Sequence, residues 1–383
     1  MAGTADCKLK VFYTWGQAQG KVIDKDFGIE REWDIDLLSG YEHAFVQNTS
    51  LEPGSHHYKG IINPSLISEV AAFQPDKIIV YGWKFNSHLK VLSHFKGKVP
   101  LYFRGDSTLL DEPAGFSIKK ALRRLLLQWV YRHVDFVLSP GIASDAYFLN
   151  AGLSTNQIIR APHAIDNARF SGTETQENSS YESSAQNWRK ELSIPEDAKV
   201  FLFAGKFEPK KDPVLLVKAF ARLHQQYPNI HLIMVGNGVL EEELKTMTST
   251  PQPSAGKFNS FTFLPFQNQS IMPVVYRLGD ILVLPSKGPG ETWGLAINEA
   301  MACGRPVIAS DKCGAAADMV KDNENENGFV FKAGDEYALY NCMEKIILND
   351  TRSMGAKALE TVQHFSYASF AKAIGNSESS VTN

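Results

Sequence analysis

Several things are scarce in this chain, and each scarcity removes a class of function. There are 4 cysteines in 383 residues, and Cys7, Cys303, Cys313 and Cys342 lack the paired spacing of a metal site. Thiols this sparse fit a reducing compartment better than a disulfide-built secreted scaffold. No apolar run approaches the ~18 residues that a membrane-crossing helix needs. The first residues, Met1 to Asp6, lack the apolar core of a signal peptide. The expectation is therefore a cytoplasmic protein, with the inner face of the membrane as an alternative address. A formal net charge of −3 gives no general electrostatic case for a nucleic-acid partner. No strand is followed by Gly-x-Gly-x-x-Gly, which disfavours a dinucleotide-dependent redox enzyme.

What is present reads as an ordinary two-domain α/β chain. Apolar residues make up 44% and charged residues 21%, the balance of a globular domain. The length exceeds what one core usually holds, about 250–300 residues. In the first half, apolar strands at 9–13, 77–81, 99–103, 135–139 and 157–160 alternate with helical patterns. Residues 171–186 are rich in Ser, Thr, Glu and Asn, which predicts a mobile surface segment. A second alternating series begins at Lys199, with Asp212 as expected N-cap and Pro213 at the first position of its helix. The expected fold is two Rossmann-like doubly wound domains with ligand at the carboxyl ends of the strands. Their boundaries are set at 1–170, a polar linker 171–197, a second domain 198–363, and a C-terminal helix and tail 364–383.

The most informative stretch runs from Gly290 to Gly304. The apolar run Ile281-Leu282-Val283-Leu284 precedes it and Val307-Ile308-Ala309-Ser310 follows, so the pattern is strand, Gly-rich loop, short helix, strand. Such a unit points the free amides of a helix N-terminus at an open loop, ready for a phosphate. Glu291 and Glu299 stand on either side of that anion site with seven residues between them. Carboxylates repel phosphate, so they fit hydroxyl groups flanking a diphosphate. Ribose, two phosphates and a sugar have that shape. Earlier in the chain, Gly205-Lys206-Phe207-Glu208-Pro209-Lys210-Lys211-Asp212 follows a strand and brings three lysines that can neutralise a diphosphate.

These motifs resemble the donor-binding half of retaining glycosyltransferases of family 4, which have the GT-B architecture. The resemblance covers roughly Val200 to Gly334. In the family's Gly-Arg-x5-Lys-Gly pattern, Lys206 takes the Arg position and Lys211 the Lys position, with Asp212 in place of Gly. The resemblance implies that both lysines contact the diphosphate. It implies that Glu299 binds the ribose hydroxyls and that Glu291 lies beside the transferred sugar. Gly205 belongs to the same loop, Gly294 and Leu295 would offer backbone amides to the phosphates, and Thr292 with Trp293 replaces the usual Gly-Phe pair. Phe266, in Pro265-Phe266-Gln267-Asn268, falls in the loop whose backbone reads the nucleobase, and Gly236-Asn237-Gly238 resembles the family's Gly-Asp-Gly.

The first half says less. Trp15-Gly16 follows the first strand, and Gly16 allows close backbone approach to a ligand. Arg104 and Asp106 follow the third strand, where family members often carry a sugar-contacting histidine. Pro162-His163-Ala164-Ile165-Asp166 looks like the family's Pro-Asn-Gly-Val-Asp, which makes His163 a structural or hinge residue. Asp24/Asp26 and Asp34/Asp36 suggest a metal site only weakly, since neither pair follows a convincing strand and the family does not depend on such a motif. Residues 118–132 form a basic amphipathic helix: one that lies on an anionic membrane, or a domain helix with its apolar side toward the sheet.

The expected activity is transfer of a hexose, with retention, from a UDP- or GDP-sugar to a saccharide or lipid-linked saccharide. Glu291, Lys211 and Lys206 are the expected catalytic residues. No cofactor or metal is called for, because the nucleotide sugar is a substrate. A sugar-nucleotide epimerase or hydrolase of the same fold, and a non-catalytic nucleotide-sugar-binding protein, are the alternatives.

Overall fold

The alternation read from the sequence folds into parallel sheets flanked by helices. In a computed structural model the described residues are 7–16, 22–24, 29–31, 34–113, 115, 117–172, 178–249, 260–323 and 326–375, with 22–24, 29–31 and 178 described by their backbone alone. The chain divides into two compact units, of which the described residues are Glu30–Ala161 with the N-terminal strand and Ala371–Gly375 in one, and Pro162–Phe370 with Asp24 and Ile29 in the other.

The first unit contains β1 (Lys10–Tyr13), which pairs in parallel with β4 (Glu42–Phe45). Between them β2 (Val22–Asp24) and β3 (Ile29–Arg31) form a two-stranded sheet. Then follow α1 (Leu66–Phe73), β5 (Ile78–Tyr81), α2 (Asn86–Phe95), β6 (Leu101–Arg104), α3 (Ile118–Tyr131), β7 (Phe136–Ser139), α4 (Ile142–Asn150) and β8 (Ile158–Arg160). Strands β5, β6, β7 and β8 lie side by side in chain order, all parallel. Leu92, Leu101, Phe103, Val130, Val137 and Phe148 form the core.

The second unit contains α5 (Asn167–Ser171), α6 (Asn178–Glu191), β9 (Lys199–Ala204), α7 (Pro213–His224), β10 (Ile230–Val235), α8 (Glu241–Ser249), β11 (Phe261–Leu264) and α9 (Met272–Leu278). It continues through β12 (Ile281–Leu284), α10 (Ala296–Ala302), β13 (Val307–Ser310), α11 (Ala316–Met319), β14 (Gly328–Phe331), α12 (Glu336–Ile347) and α13 (Thr351–Val362), and α14 (Tyr367–Gly375) begins in it, its residues from Ala371 counting with the first unit. The sheet order is β11-β10-β9-β12-β13-β14. Numbered within the sheet this is 3-2-1-4-5-6, so the winding reverses between β9 and β12. Both faces are covered, which is why the strands read as unbroken apolar runs. Val200, Leu202, Ile233, Val235, Leu282 and Leu284 point into one core. Phe201, Phe203, Leu232, Met234, Ile281 and Val283 point into the other, as the two-residue pleat requires. Each such buried side chain contributes about 1.5–3 kcal/mol, so apolar packing and not ion pairing holds the sheet.

Two expectations need correction. The segment read as a mobile polar linker contains α6, a 14-residue helix. Tyr181, Ala185 and Trp188 recur at helical spacing and pack into the core beside α9, a stripe that the surrounding Ser, Glu and Asn residues masked. Glu182 holds Arg305 at 2.8 Å, and Arg189 reaches Asp280 at 3.0 Å. Asp212 is not a side-chain cap for α7. It adopts a left-handed backbone (φ 48°), and its carboxylate instead meets Lys287 at 3.0 Å. Pro213 does occupy the first turn. Among the described residues, no helix is long and apolar enough to cross a membrane.

His231 gives the fold a pH dependence. It is buried on β10 with its Nε2 2.8 Å from Thr262 Oγ1 on β11. Burial first, and then the charges of Arg189 and His224, push its pKa down to about 4. The native state therefore resists a proton that the unfolded chain accepts near 6.5, and stability falls as pH drops from about 6.5 toward 4. At pH 5 the loss should be about 2 kcal/mol. Urea unfolding at pH 7 and pH 5 should show a drop of this size in the native chain and a smaller one in His231→Gln. Equal drops would contradict the assignment.

Candidate active site

Because β9 and β12 are neighbours in the sheet, the loops leaving their carboxyl ends meet at the switch point. The first loop starts at Gly205, whose amide donates to the Val235 carbonyl at 3.0 Å. The turn Gly236-Asn237-Gly238 is seated directly against it. A Cβ on Gly236 would fall 2.0 Å from the Gly205 carbonyl oxygen, so only glycine fits. Asn237 then ties three loops together. Its carbonyl accepts from the Phe207 amide at 2.9 Å, its Oδ1 from the Phe266 amide at 2.7 Å, and its Nδ2 donates to Glu241 at 3.0 Å. The Phe266 loop, expected at the nucleobase, is thereby fixed beside the β9 loop.

The second loop runs from Pro285 to α10. Glu291 is buried within it, and its Oε2 accepts from Lys211 Nζ in an ion pair and from Ser286 Oγ at 2.9 Å. Two further links join the loops. Lys287 Nζ meets Asp212, and the Lys287 amide donates to the Lys210 carbonyl at 2.9 Å. Lys206 is half-buried on the same β9 loop. Gly294 turns the chain into α10 at φ +93°, where a Cβ would lie 2.9 Å from the Leu284 side chain. Leu295 is the N-cap of α10 and is exposed, while Gly294 before it is buried. Thr292 is half-buried just ahead of it.

Glu299 lies on α10, one turn in. Tyr276 Oη donates to its Oε2 at 2.5 Å. Burial pushes the Glu299 carboxyl above its ordinary range, opposed by the Tyr276 bond and by the positive charge of Arg169. Arg169 is itself steadied by Gln269, through the carbonyl at 2.6 Å and the side chain at 3.1 Å.

Of the residues expected here, the structure brings Gly205, Lys206, Lys211, Glu291, Thr292, Gly294, Leu295 and Glu299 onto adjoining loops and α10. Trp293 differs. Its side chain is buried, donates from Nε1 to Asn298 Oδ1 at 2.8 Å, and packs against His163 and Phe365. The indole is a strut behind the loop, and His163 is part of the same packing. Sequence reading overlooked Tyr276, Arg169 and the tie made by Asn237, and it gave Ser286 no role. Position immediately after β12 was the available signal for Ser286. Nothing in the sequence marks Tyr276.

The first-unit residues behave otherwise. Arg104 is buried, and its Nη1 donates to the carbonyls of Leu138 at 2.8 Å and Ala161 at 2.5 Å. Through Nη1 it stitches the ends of β6, β7 and β8. Gly16 is exposed after β1, while residues 17–20 of its loop lie outside the described residues. Asp36 accepts from the amides of Leu38 and Ser39 at 2.9 and 3.0 Å, a local turn that holds its carboxyl below the usual range. Asp26 and the Asp24 side chain fall outside the described residues. Burial raises Cys303 to about 11 and Cys313 to about 12, which keeps both as neutral thiols.

Comparison with known proteins agrees with this geometry. Residues 184–363 match the family model described as glycosyl transferases group 1. A D-inositol 3-phosphate glycosyltransferase of Stackebrandtia nassauensis is 31% identical over 190 residues, 47% of this chain and 41% of that protein. A sulfoquinovosyl transferase of Arabidopsis thaliana is 25% identical over 336 residues, 83% of this chain and 59% of that protein. The chain thus spans about half the length of these curated relatives. Among solved structures, Anabaena HepE in complex with UDP and glucose matches with a TM-score of 0.61 at 20% identity, covering 89% of this chain and 86% of that one. A glycosyltransferase from Rickettsia africae matches with a TM-score of 0.67 at 16% identity, covering 90% and 86%. These two likenesses are of fold. Residues 184–363 are accordingly similar to glycosyl transferases group 1, within a chain whose α/β fold is that of these GT-B structures.

Proposed function

We propose that the chain is a retaining glycosyltransferase that moves a hexose from a UDP- or GDP-sugar to a saccharide or lipid-linked saccharide. The observation that carries this reading is the pairing of Lys211 with Glu291 at the switch point, with Glu299 one helical turn further on. Named relatives transfer sugars, and a solved neighbour holds UDP and glucose. The reading puts the work in the cytoplasm, where free buried thiols persist.

The chemistry follows from charge. The bond between the anomeric carbon and the diphosphate oxygen breaks, and negative charge grows on the leaving nucleotide. Lys206, Lys211 and the amides of Gly294 and Leu295 stabilise it. An ammonium has three donors, so Lys211 can hold Glu291 and a phosphate oxygen together. Glu291, fixed by Lys211 and Ser286, accepts from hydroxyls of the transferred sugar as its carbon becomes electron-poor. The acceptor oxygen attacks the same face, and its proton passes to the leaving phosphate, which preserves the configuration. Glu299 accepts from the ribose hydroxyls. An epimerase or hydrolase would act on the donor alone, so incubation without acceptor distinguishes it by epimerised or rapidly hydrolysed donor.

A thermal-shift panel of UDP-, GDP- and ADP-sugars should single out one nucleotide. A donor at 100 times its Kd stabilises the native state by about 2.7 kcal/mol. No shift with any of them would sink the reading. Lys211→Ala should lower kcat by about 10²–10³-fold, and a variant with full turnover would remove Lys211 from the mechanism. Glu299→Ala should weaken nucleotide binding about 10- to 100-fold in calorimetry, the value of a hydrogen bond to a charged group. Because burial raises the Glu299 pKa, nucleotide affinity should fall with decreasing pH earlier than an ordinary glutamate would cause. Glu299→Gln should abolish that pH dependence, and an unchanged profile would show that another group titrates.

A further inference from the structure

Helix α3 has two apolar faces, and among the described residues only one is packed into the core. Leu127, Val130 and Tyr131 are buried against the first sheet. On the opposite side Ile118, Leu122, Leu125, Leu126 and Trp129 are between 44% and 73% exposed. At 100° per residue these five fall within one stripe of about 100°, roughly 16 Å long. The helix therefore does not follow the domain-helix pattern, apolar inward and basic outward. Its outer surface is a ridge of large aliphatic side chains ending in a tryptophan.

The charges around the ridge have one sign. Lys119 and Arg132 border the stripe, Arg123 and Arg124 stand farther round the helix at about 110° and 150° from its centre, and all four are exposed. No Asp or Glu occurs between Ser117 and Arg132. The Ser117 side chain caps the first turn by accepting from the Lys120 amide at 3.2 Å. The Arg132 guanidinium lies 5.6 Å from the Trp129 ring centre, joining a cation to an amphipathic ring at one end of the stripe. A second copy of this face would bring like charges together. An anionic surface with an apolar interior satisfies both features at once.

We propose that the outer face of α3 docks the protein on an anionic lipid bilayer, the leucines and Trp129 entering the acyl boundary and the cations meeting the headgroups. This goes beyond the transferase reading and does not depend on it. The test is flotation of the full chain with vesicles of phosphatidylcholine alone and of phosphatidylcholine with phosphatidylglycerol. The native chain should float with the anionic vesicles only, and high salt should release it. Arg123→Gln with Arg124→Gln should lower the partition about 30-fold, about fivefold for each cation. Leu122→Ser with Leu125→Ser should abolish it while the core face of α3 and the thermal melt remain. Should that pair fail to fold, the arginine pair, which alters only exposed charges, decides the question. Absence of flotation, equal flotation with neutral vesicles, or unaltered flotation of the arginine pair would overturn the proposal. So would a native dimer that the leucine pair converts to monomer without affecting flotation. Sugar-nucleotide thermal shifts should be unchanged in every variant, which keeps this result separate from the fate of the transferase reading.

Discussion

The ion pair between Lys211 and Glu291 is the constraint on which the site depends. Its side chains are only 19% and 9% exposed, so neither charge could be left there alone. Removing one partner of a buried pair typically costs about 3–5 kcal/mol, because the other is stranded. Ser286 satisfies a further acceptor position on Glu291. The pair ties the loop after β9 to the loop after β12, and the Lys287 contacts repeat the tie. With both loops fixed, the turn at Gly294 sets the start of α10 and therefore the place of Glu299. The Gly294 corner and two carboxylates are thus held in a fixed order by the Lys211–Glu291 pair and the Lys287 links.

The framework under that contact is apolar. Residues of β9, β10 and β12 alternate between two cores, and the polar residues at the carboxyl ends add little to that packing. Strand packing can therefore hold the sheet while the loops keep groups chosen for chemistry. Arg104 shows the opposite use of a charge. Its guanidinium bridges strand ends in the first unit, where Nη1 donates to two carbonyls.

Much of the second unit was legible because its signals are local. Parallel buried strands are continuous apolar runs, and Gly205, Gly294 and the paired glutamates sit at fixed offsets from strand ends. What escaped was non-local or disguised. Tyr276 reaches Glu299 from another helix, and no spacing announces that bond. The stripe of Tyr181, Ala185 and Trp188 was hidden within a polar composition, so α6 read as a linker. Asp212 looked like a cap because it precedes a proline, but Lys287, 75 residues away in sequence, offers it a charged partner. The sequence of α3 showed that the helix is amphipathic, yet only burial shows which apolar face the core leaves uncovered.

The central claim is that the second unit grips a nucleotide sugar along a line from Glu299 to Glu291. A crystal structure of the chain soaked with the donor chosen by thermal shift tests it most directly. The account predicts ribose hydroxyls on Glu299, the diphosphate among Lys206, Lys211 and the amides of Gly294 and Leu295, and the hexose on Glu291. A nucleotide bound in the reverse direction, or away from the β9 and β12 loops, would contradict it.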